Sequence, residues 1–133
     1  MPKHLDRELE GLKKIFMSLS TMVEENFLLA TKAFKEQRAD YAKSAIENDE
    51  HIDQMEIRVE EECLKMLALY QPVATDLRFI ISILKINNDI ERIGDLAVNI
   101  SKCTLYLSEH SAIIIPPHFA VMISKTHFML ERV

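Results

Sequence analysis

Residues 46–101 read IENDEHIDQMEIRVEEECLKMLALYQPVATDLRFIISILKINNDIERIGDLAVNIS. Apolar residues recur at intervals of three and four on both sides of Gln71 and Pro72, which is the period of an α-helix. A proline disfavours the helical conformation in the residue before it and is well tolerated in the first turn of a following helix. The stretch therefore predicts two long helices, residues 41–70 and 74–108, joined by a sharp corner.

The same helical period extends toward both ends of the chain. Residues 5–36 carry one apolar stripe and predict a first long helix. A short connection at residues 37–39 follows, and Asp40 is a plausible N-cap for the next helix. Residues 110–117 are predicted as a linker, and Pro117 could open a fourth helix. Connections of a few residues make sequential helices antiparallel neighbours. The fold class is therefore all-α, an elongated up-down-up three-helix bundle followed by a partial fourth helix.

The apolar stripes also define the candidate core. Gly94 lies beside the stripe of the third helix, where its missing side chain would let a neighbouring helix come close. The stripe of the second helix passes through Ala45, Ile52, Met55, Val59, Cys63, Met66 and Tyr70.

Composition supports helices and narrows the classes of function. Apolar residues make up 48% of the chain, and only two glycines and four prolines occur, which favours long helices over many short strands. The formal net charge of −5 argues against nucleic-acid binding, because phosphates need clustered lysine and arginine. It suits a protein that binds cations or a basic patch on a partner.

The lack of a recognisable targeting signal and the spacing of the cysteines predict a cytoplasmic protein. Cys63 and Cys103 lie far apart, so neither a disulfide framework nor a zinc ribbon is predicted. The first residues contain no apolar signal core, and no run approaches the roughly 18 apolar residues that a membrane span needs.

Two acidic pairs are the candidate metal ligands. Asp49 and Asp53 are four residues apart in the second helix, and Glu91 and Asp95 are four apart in the third. Like charges at that spacing share a helix face and repel by a few tenths of a kcal/mol, so a bound cation would relieve them. Asp53 lies 19 residues before Pro72 and Glu91 lies 19 residues after it, which brings the pairs level in antiparallel helices. Four converging carboxylates suit a hard divalent or trivalent cation.

Simpler interpretations of these acids stay open at this point. Acidic residues at this spacing are common on solvated helix faces, and Arg92 or Lys85 could neutralise them locally. The five histidines are interpreted as surface or boundary residues, with His51 a weak candidate for an additional ligand. No Glu-x-x-His pair of the diiron type is present, because Ser124 precedes His127 by three residues.

No residue is assigned to catalysis or to an organic cofactor. Two isolated glycines cannot build a phosphate-binding loop, and Ser82, Ser101 and Cys103 have no obvious histidine on the same helix face. A metal-dependent phosphatase would lack an identifiable general base. The chain is therefore not expected to be an enzyme.

Beyond these patterns, the segments IENDEHIDQME, YQPVATDLRFI and DIERIGDLAVNI resemble the signature of the PhoU family, regulators of bacterial phosphate uptake. The opening LDRELEGLKKIF also resembles the start of the family, and the resemblance covers residues 4–109. It implies an acid-x-x-x-Asp motif on the second and third helix of each three-helix repeat, where multinuclear iron or zinc clusters bind. The matching residues here are Asp49, Asp53, Glu91 and Asp95.

The same resemblance implies a domain organisation. Residues 1–109 would form one PhoU-like three-helix repeat, and residues 110–133 a linker with the incomplete first helix of a second repeat. The apolar face of that fourth helix lacks a partner within the chain, so a homo-oligomer is expected. Two chains could pair to rebuild a two-repeat form.

The function implied by the resemblance is regulatory. Such a protein would restrain phosphate import and phosphate-starvation signalling by contacting a phosphate ABC transporter and a sensor histidine kinase. Its association with the membrane would be peripheral and mediated by those partners. The alternative is a structural or oligomerisation module whose carboxylates bind no metal.

Overall fold

The computed structural model describes residues 2–110 and 115–132. No strand occurs within these residues, so the predicted all-α class is confirmed. Four helices follow one another: α1 (Pro2–Glu36), α2 (Ala39–Tyr70), α3 (Ala74–His110) and α4 (His118–Glu131). The first three pack against one another as an up-down-up bundle, and at 1.5 Å per residue each is about 50 Å long.

The core of the bundle is built from the stripes that the sequence predicts. Near one end, Ala30, Ala45 and Ala97 are fully buried, and their small side chains let the three helices approach closely. Larger apolar side chains fill the rest of the axis, and burying each valine, leucine, isoleucine or methionine contributes roughly 1.5–3 kcal/mol. They are Leu12, Leu19 and Val23 of α1, Ile52, Val59, Cys63 and Met66 of α2, and Ile80, Ile83 and Ile90 of α3.

Buried amides link the helices at defined heights. Asn26 of α1 donates from Nδ2 to the carbonyl oxygen of Ala45 at 2.9 Å, and its Oδ1 accepts from Asn48 Nδ2 at 3.2 Å. Asn87 of α3 donates from Nδ2 to the carbonyl oxygen of Glu56 at 3.1 Å. Because a buried amide needs its hydrogen bonds, these contacts fix the longitudinal register of α2 against both of its neighbours.

The connection between α1 and α2 differs from the prediction. Gln37 adopts a left-handed conformation with φ of 54°, and Arg38 N donates to Ala33 O at 2.8 Å, the hydrogen bond of a Schellman motif. Arg38 is therefore the N-cap of α2, and it forms no side-chain cap. The predicted cap at Asp40 is wrong, because Asp40 lies inside the first turn and pairs with Arg38 at 2.8 Å.

The corner between α2 and α3 lies where the sequence predicts it. Gln71 ends α2 in the left-handed conformation, with φ of 43°, and Pro72 is buried directly after it. At its other end, α3 continues to His110, which the sequence analysis assigned to the linker. Of the remaining predicted linker, residues 111–114 lie outside the described residues, and residues 115–117 precede α4.

Helix α4 packs only against α1 among the described helices. Its firmest aromatic contact joins Phe119 to Phe34, with ring centroids 5.0 Å apart. None of its residues is fully buried. Four large apolar side chains on α4 are more than half exposed: Val121, Met122, Phe128 and Met129. No described helix holds a segment long and apolar enough to cross a membrane.

Candidate metal centre

The acidic residues of α2 and α3 converge on one side of the bundle. One carboxylate oxygen from each of Asp49, Asp53 and Asp95 lies within 4.8 Å of the other two. Asp49 is half-buried, whereas Asp53 and Asp95 are exposed. Three of the four carboxylates predicted from the sequence are therefore close enough for a single ion to bridge them.

Glu91, the fourth predicted ligand, lies outside this group of three. It lines a cleft of about 480 Å³ between α2 and α3, together with Asp53 and Asp95. The negative charge of Glu91 helps to raise the pKa of the buried Glu56, which lines the same cleft. The acidic side chains therefore extend along the bundle beyond the three residues that could bind a single ion.

Gly94 makes the close approach of α2 and α3 possible. A Cβ atom at this position would lie 3.4 Å from Asp49 Oδ1, 3.7 Å from Glu56 Oε1 and 3.8 Å from Ile52 Cγ2. An alanine methyl group would fill that space, and a larger side chain would push the helices apart. Gly94 therefore faces the carboxylate oxygens of α2, and whether the helices need a glycine there stays a prediction.

Glu56 is a buried acidic residue of the cleft that the sequence analysis missed. Only 6% of it is exposed, and Oε1 has no hydrogen-bond partner. The predicted stripe passes through Met55, but the structure buries Glu56 at that height and leaves Met55 half-buried. The sequence does contain a signal for this burial. Glu56 lies four residues after Ile52 and three before Val59, which is the spacing of a core position.

Two further oxygen atoms resemble Glu56 Oε1 in lacking a hydrogen-bond partner. Asp49 Oδ1 and Asn87 Oδ1 are buried and make no hydrogen bond within the described residues. A buried acceptor without a partner costs roughly 1–3 kcal/mol, and more when it is charged. Of these three oxygens, that of Asp49 belongs to the group that a cation could bridge, and those of Glu56 and Asn87 line the neighbouring acidic cleft. A donor set of oxygens alone suits hard cations such as Mg²⁺, Ca²⁺ and Mn²⁺, and zinc accepts carboxylates as well.

Burial and mutual repulsion raise the pKa values of these carboxyl groups. The pKa of Glu56 rises to about 8, chiefly through burial and then through the charges of Asp53 and Glu91. Burial, followed by Asp53 and Asp95, raises the pKa of Asp49 to about 6. Burial and Asp95 also raise the pKa of Asp53. Without a cation, the centre therefore reduces its charge by holding protons.

Local neutralisation by basic side chains is not observed. Within residues 2–110 and 115–132, neither Arg92 nor Lys85 lies within 4 Å of a carboxylate. Lys102 lowers the pKa of Asp49, but this is the smallest of the influences on that group.

The histidines take no part in this centre. His51 is exposed and lines a groove on the α1 side, beside Asn48 and Met22, so it faces away from the carboxylates as expected. His127 contacts Glu24 of α1, a partner that sequence spacing does not reveal.

The sequence and fold of the chain are similar to those of known proteins. The family model described as the PhoU domain matches residues 16–104. A phosphate-specific transport system accessory protein PhoU homolog of Aquifex aeolicus is 41% identical over 105 residues, which are 79% of this chain and 48% of that protein. The phosphate-specific transport system accessory protein PhoU of Escherichia coli is 34% identical over 110 residues, 81% of this chain and 46% of that protein.

The fold comparison agrees with the sequence comparison. The crystal structure of the phosphate transport system regulatory protein PhoU from Streptococcus pneumoniae superimposes with a TM-score of 0.86 at 32% identity. The superposition covers 96% of this chain and 59% of that one. The chain thus spans about half the length of the curated relatives it matches.

Proposed function

The chain belongs to the PhoU family, and on that premise we propose that it is a regulatory accessory protein of phosphate uptake and phosphate-starvation signalling. Relatives that it matches are named phosphate-specific transport system accessory proteins. The proposed partners are a phosphate ABC transporter and a sensor histidine kinase, contacted from the cytoplasmic side of the membrane.

The observation that carries the proposal is the acidic centre between α2 and α3. Asp49, Asp53 and Asp95 would hold a metal ion, with Glu91 extending the site toward a second ion of an iron or zinc cluster. The unpartnered Oε1 of the buried Glu56 supports this assignment, because a solvated acidic face would not bury a carboxylate without a partner.

The proposed mechanism is metal-dependent docking. Three packed helices make a stiff bundle, so the metal-loaded face would be presented in one geometry. Loading would also reverse part of the local negative charge and create positions that a partner's carboxylate or phosphate could ligate. Docking would alter transport or signalling because the bundle would bind one conformation of the membrane complex more tightly than another. The size of the effect would be set by that difference in affinity.

We infer that the chain acts without catalytic turnover. The cleft is lined by carboxylates, amides and aliphatic side chains, with no serine, cysteine or histidine among them. One observation favours a second candidate, a metal-dependent phosphatase: Glu56, with its pKa raised to about 8, would hold a proton near neutral pH that it could donate to a leaving group. Phosphoester turnover by the metal-loaded chain that disappears in Glu56→Gln would support the phosphatase.

Elemental analysis tests the metal centre. We expect the chain, purified without added metal, to contain iron or zinc, and we expect Asp49→Ala/Asp95→Ala to contain less of it. The matched control is Glu61→Ala/Glu109→Ala, which removes two exposed acids from the same helices and should keep the metal. Equal metal content in the two double variants would contradict the assignment.

Docking is tested with membrane vesicles that carry the phosphate ABC transporter and the sensor kinase. We expect the metal-loaded chain to sediment with these vesicles, and the Asp49→Ala/Asp95→Ala variant to stay in solution. Equal sedimentation of both proteins would show that docking to the membrane partners does not depend on the metal. If neither protein sedimented with the vesicles, the proposal that the chain binds these membrane partners would be wrong.

A further inference from the structure

A second cluster of metal-ligating side chains joins α1 to α4. His127 Nε2 lies 2.8 Å from Glu24 Oε1, and a carboxylate oxygen of Glu131 completes a group whose ligand atoms all lie within 4.8 Å of one another. His127 and Glu131 are one helical turn apart on α4, so they share a face. Glu24 reaches them from α1, 103 positions away in the sequence.

The donor set distinguishes this cluster from ordinary surface acids. One imidazole nitrogen with two carboxylate oxygens is a combination that zinc and related transition metals accept, and three protein ligands leave a position for water. The side chains of His127 and Glu24 are only 25% and 31% exposed, so the pair is already partly withdrawn from solvent. The hydrogen bond between them holds both donors at the distance that neighbouring ligands of one ion require.

The charges around the cluster are not balanced by basic side chains. Among the described residues, no lysine or arginine lies within 4 Å of Glu24 or Glu131. Arg132, next to Glu131 in sequence, is placed over the ring of Phe128 at 5.1 Å. Two carboxylates and one imidazole therefore have no fixed cation near them.

We propose that Glu24, His127 and Glu131 bind one divalent transition-metal ion, of the zinc type, that fastens α4 to α1. For Nε2 to ligate the ion, the neutral imidazole must carry its single proton on Nδ1, so the hydrogen bond to Oε1 is given up and both atoms turn to the metal. The ion supplies what α4 otherwise lacks, because this helix has no fully buried residue and packs only against α1. The site belongs to a different pair of helices from the centre at Asp49, Asp53 and Asp95.

Zinc titration of the metal-free chain tests the proposal, in a background where Asp49→Asn, Asp53→Asn and Asp95→Asn remove the first centre. Calorimetry should find one equivalent of Zn²⁺ per chain, with Mg²⁺ bound more weakly by about tenfold or more. His127→Gln should lose this equivalent. The matched control His118→Gln, an exposed histidine of the same helix, should keep it.

Imidazole NMR signals locate the ion without relying on stoichiometry. Zn²⁺ should shift the His127 signal and leave that of His118 unchanged, and Glu131→Gln should weaken the response about tenfold or more. Glu131 is exposed, so this variant reports ligand loss even if His127→Gln disturbs packing. An unchanged His127 signal, or equal shifts in both histidines, would overturn the proposal. A response that needs Asp49, Asp53 and Asp95 intact would assign the zinc to the first centre instead.

Discussion

Glu56 shows how a single residue links the fold to the proposed metal chemistry. It lies on the buried stripe of α2, where an aliphatic side chain would pack without cost, yet its Oε1 has no partner. Burial raises its pKa to about 8. Its position could have been found from the sequence, because the stripe requires a residue there. Its pKa could not, because that depends chiefly on burial and also on Glu91, which only packing brings near.

The metal-free chain should lose stability as pH rises, and Glu56→Gln should remove most of that loss. Folded Glu56 holds its proton up to about pH 8, whereas the unfolded side chain releases it near 4.5. The folded state therefore binds more protons between these values, and the free energy of unfolding falls as pH increases from about 5 to about 8. The fall attributable to Glu56 is on the order of a few kcal/mol.

Urea unfolding in the presence of EDTA, at pH 5 and pH 8, measures this difference. Glu61→Gln is the control, because Glu61 is exposed on the same helix and should leave the pH dependence unchanged. Added metal should restore stability at pH 8 by replacing the proton. Parallel curves for the parent chain and Glu56→Gln would show that the buried carboxyl group does not hold the proton.

At the scale of elements, the sequence predicts the helices well and their ends less well. Helix α1 begins at Pro2 instead of residue 5, and α3 ends at His110 instead of residue 108, because no strong stop signal lies at either end. The cap at Asp40 was wrong for a related reason. The Schellman turn at the end of α1 places Arg38 in the extended conformation that an N-cap needs, one residue before α2 begins.

Gly94→Ala should stabilise the metal-free bundle and weaken metal binding. Alanine favours a helix interior by about 1 kcal/mol over glycine, and its Cβ would lie at ordinary contact distance from its neighbours. That methyl group would nevertheless lie 3.4 Å from Asp49 Oδ1, where it would hinder the carboxylate from turning toward an ion. We expect a higher free energy of unfolding together with lower metal content.

Gly11→Ala provides the matched comparison for this prediction. A Cβ at Gly11 would have no atom within 4 Å, so the substitution should give a similar gain in stability with unchanged metal content. Thermal unfolding and elemental analysis of both variants separate the two effects. If both variants keep the metal equally, the contact between Gly94 and Asp49 does not govern the centre.

At the scale of the whole molecule, sequence spacing predicted one cluster and missed another. Asp49, Asp53 and Asp95 converge because antiparallel helices around a proline corner bring residues at equal distances from it level. The contact between Glu24 and His127 follows no such rule, since 103 positions and an intervening bundle separate them. It depends on how α4 turns back onto α1, and no periodicity in either helix encodes that turn.

The exposed face of α4 leads to a last prediction, that the chain self-associates through it. Val121 and Met129 lie on one face with Phe128, and all three are more than half exposed. One face of a helix of 14 residues is small beside the roughly 800 Å² that each partner of a standard interface buries. We therefore expect a dimer that dissociates on dilution into the micromolar range, an order-of-magnitude estimate.

Light scattering should give a mass near twice 15.4 kDa at high concentration and near 15.4 kDa on dilution. Val121→Lys/Met129→Lys should stay monomeric throughout, because two charges would have to be buried without partners. Met17→Lys/Leu69→Lys changes two equally exposed apolar side chains outside α4 and should behave as the parent chain. A parent chain that is monomeric at every concentration, or a dimer that survives in the α4 variant, would exclude this face as the interface. The choice of helix matters because an interface on α4 would leave the cleft between α2 and α3 open to a membrane partner.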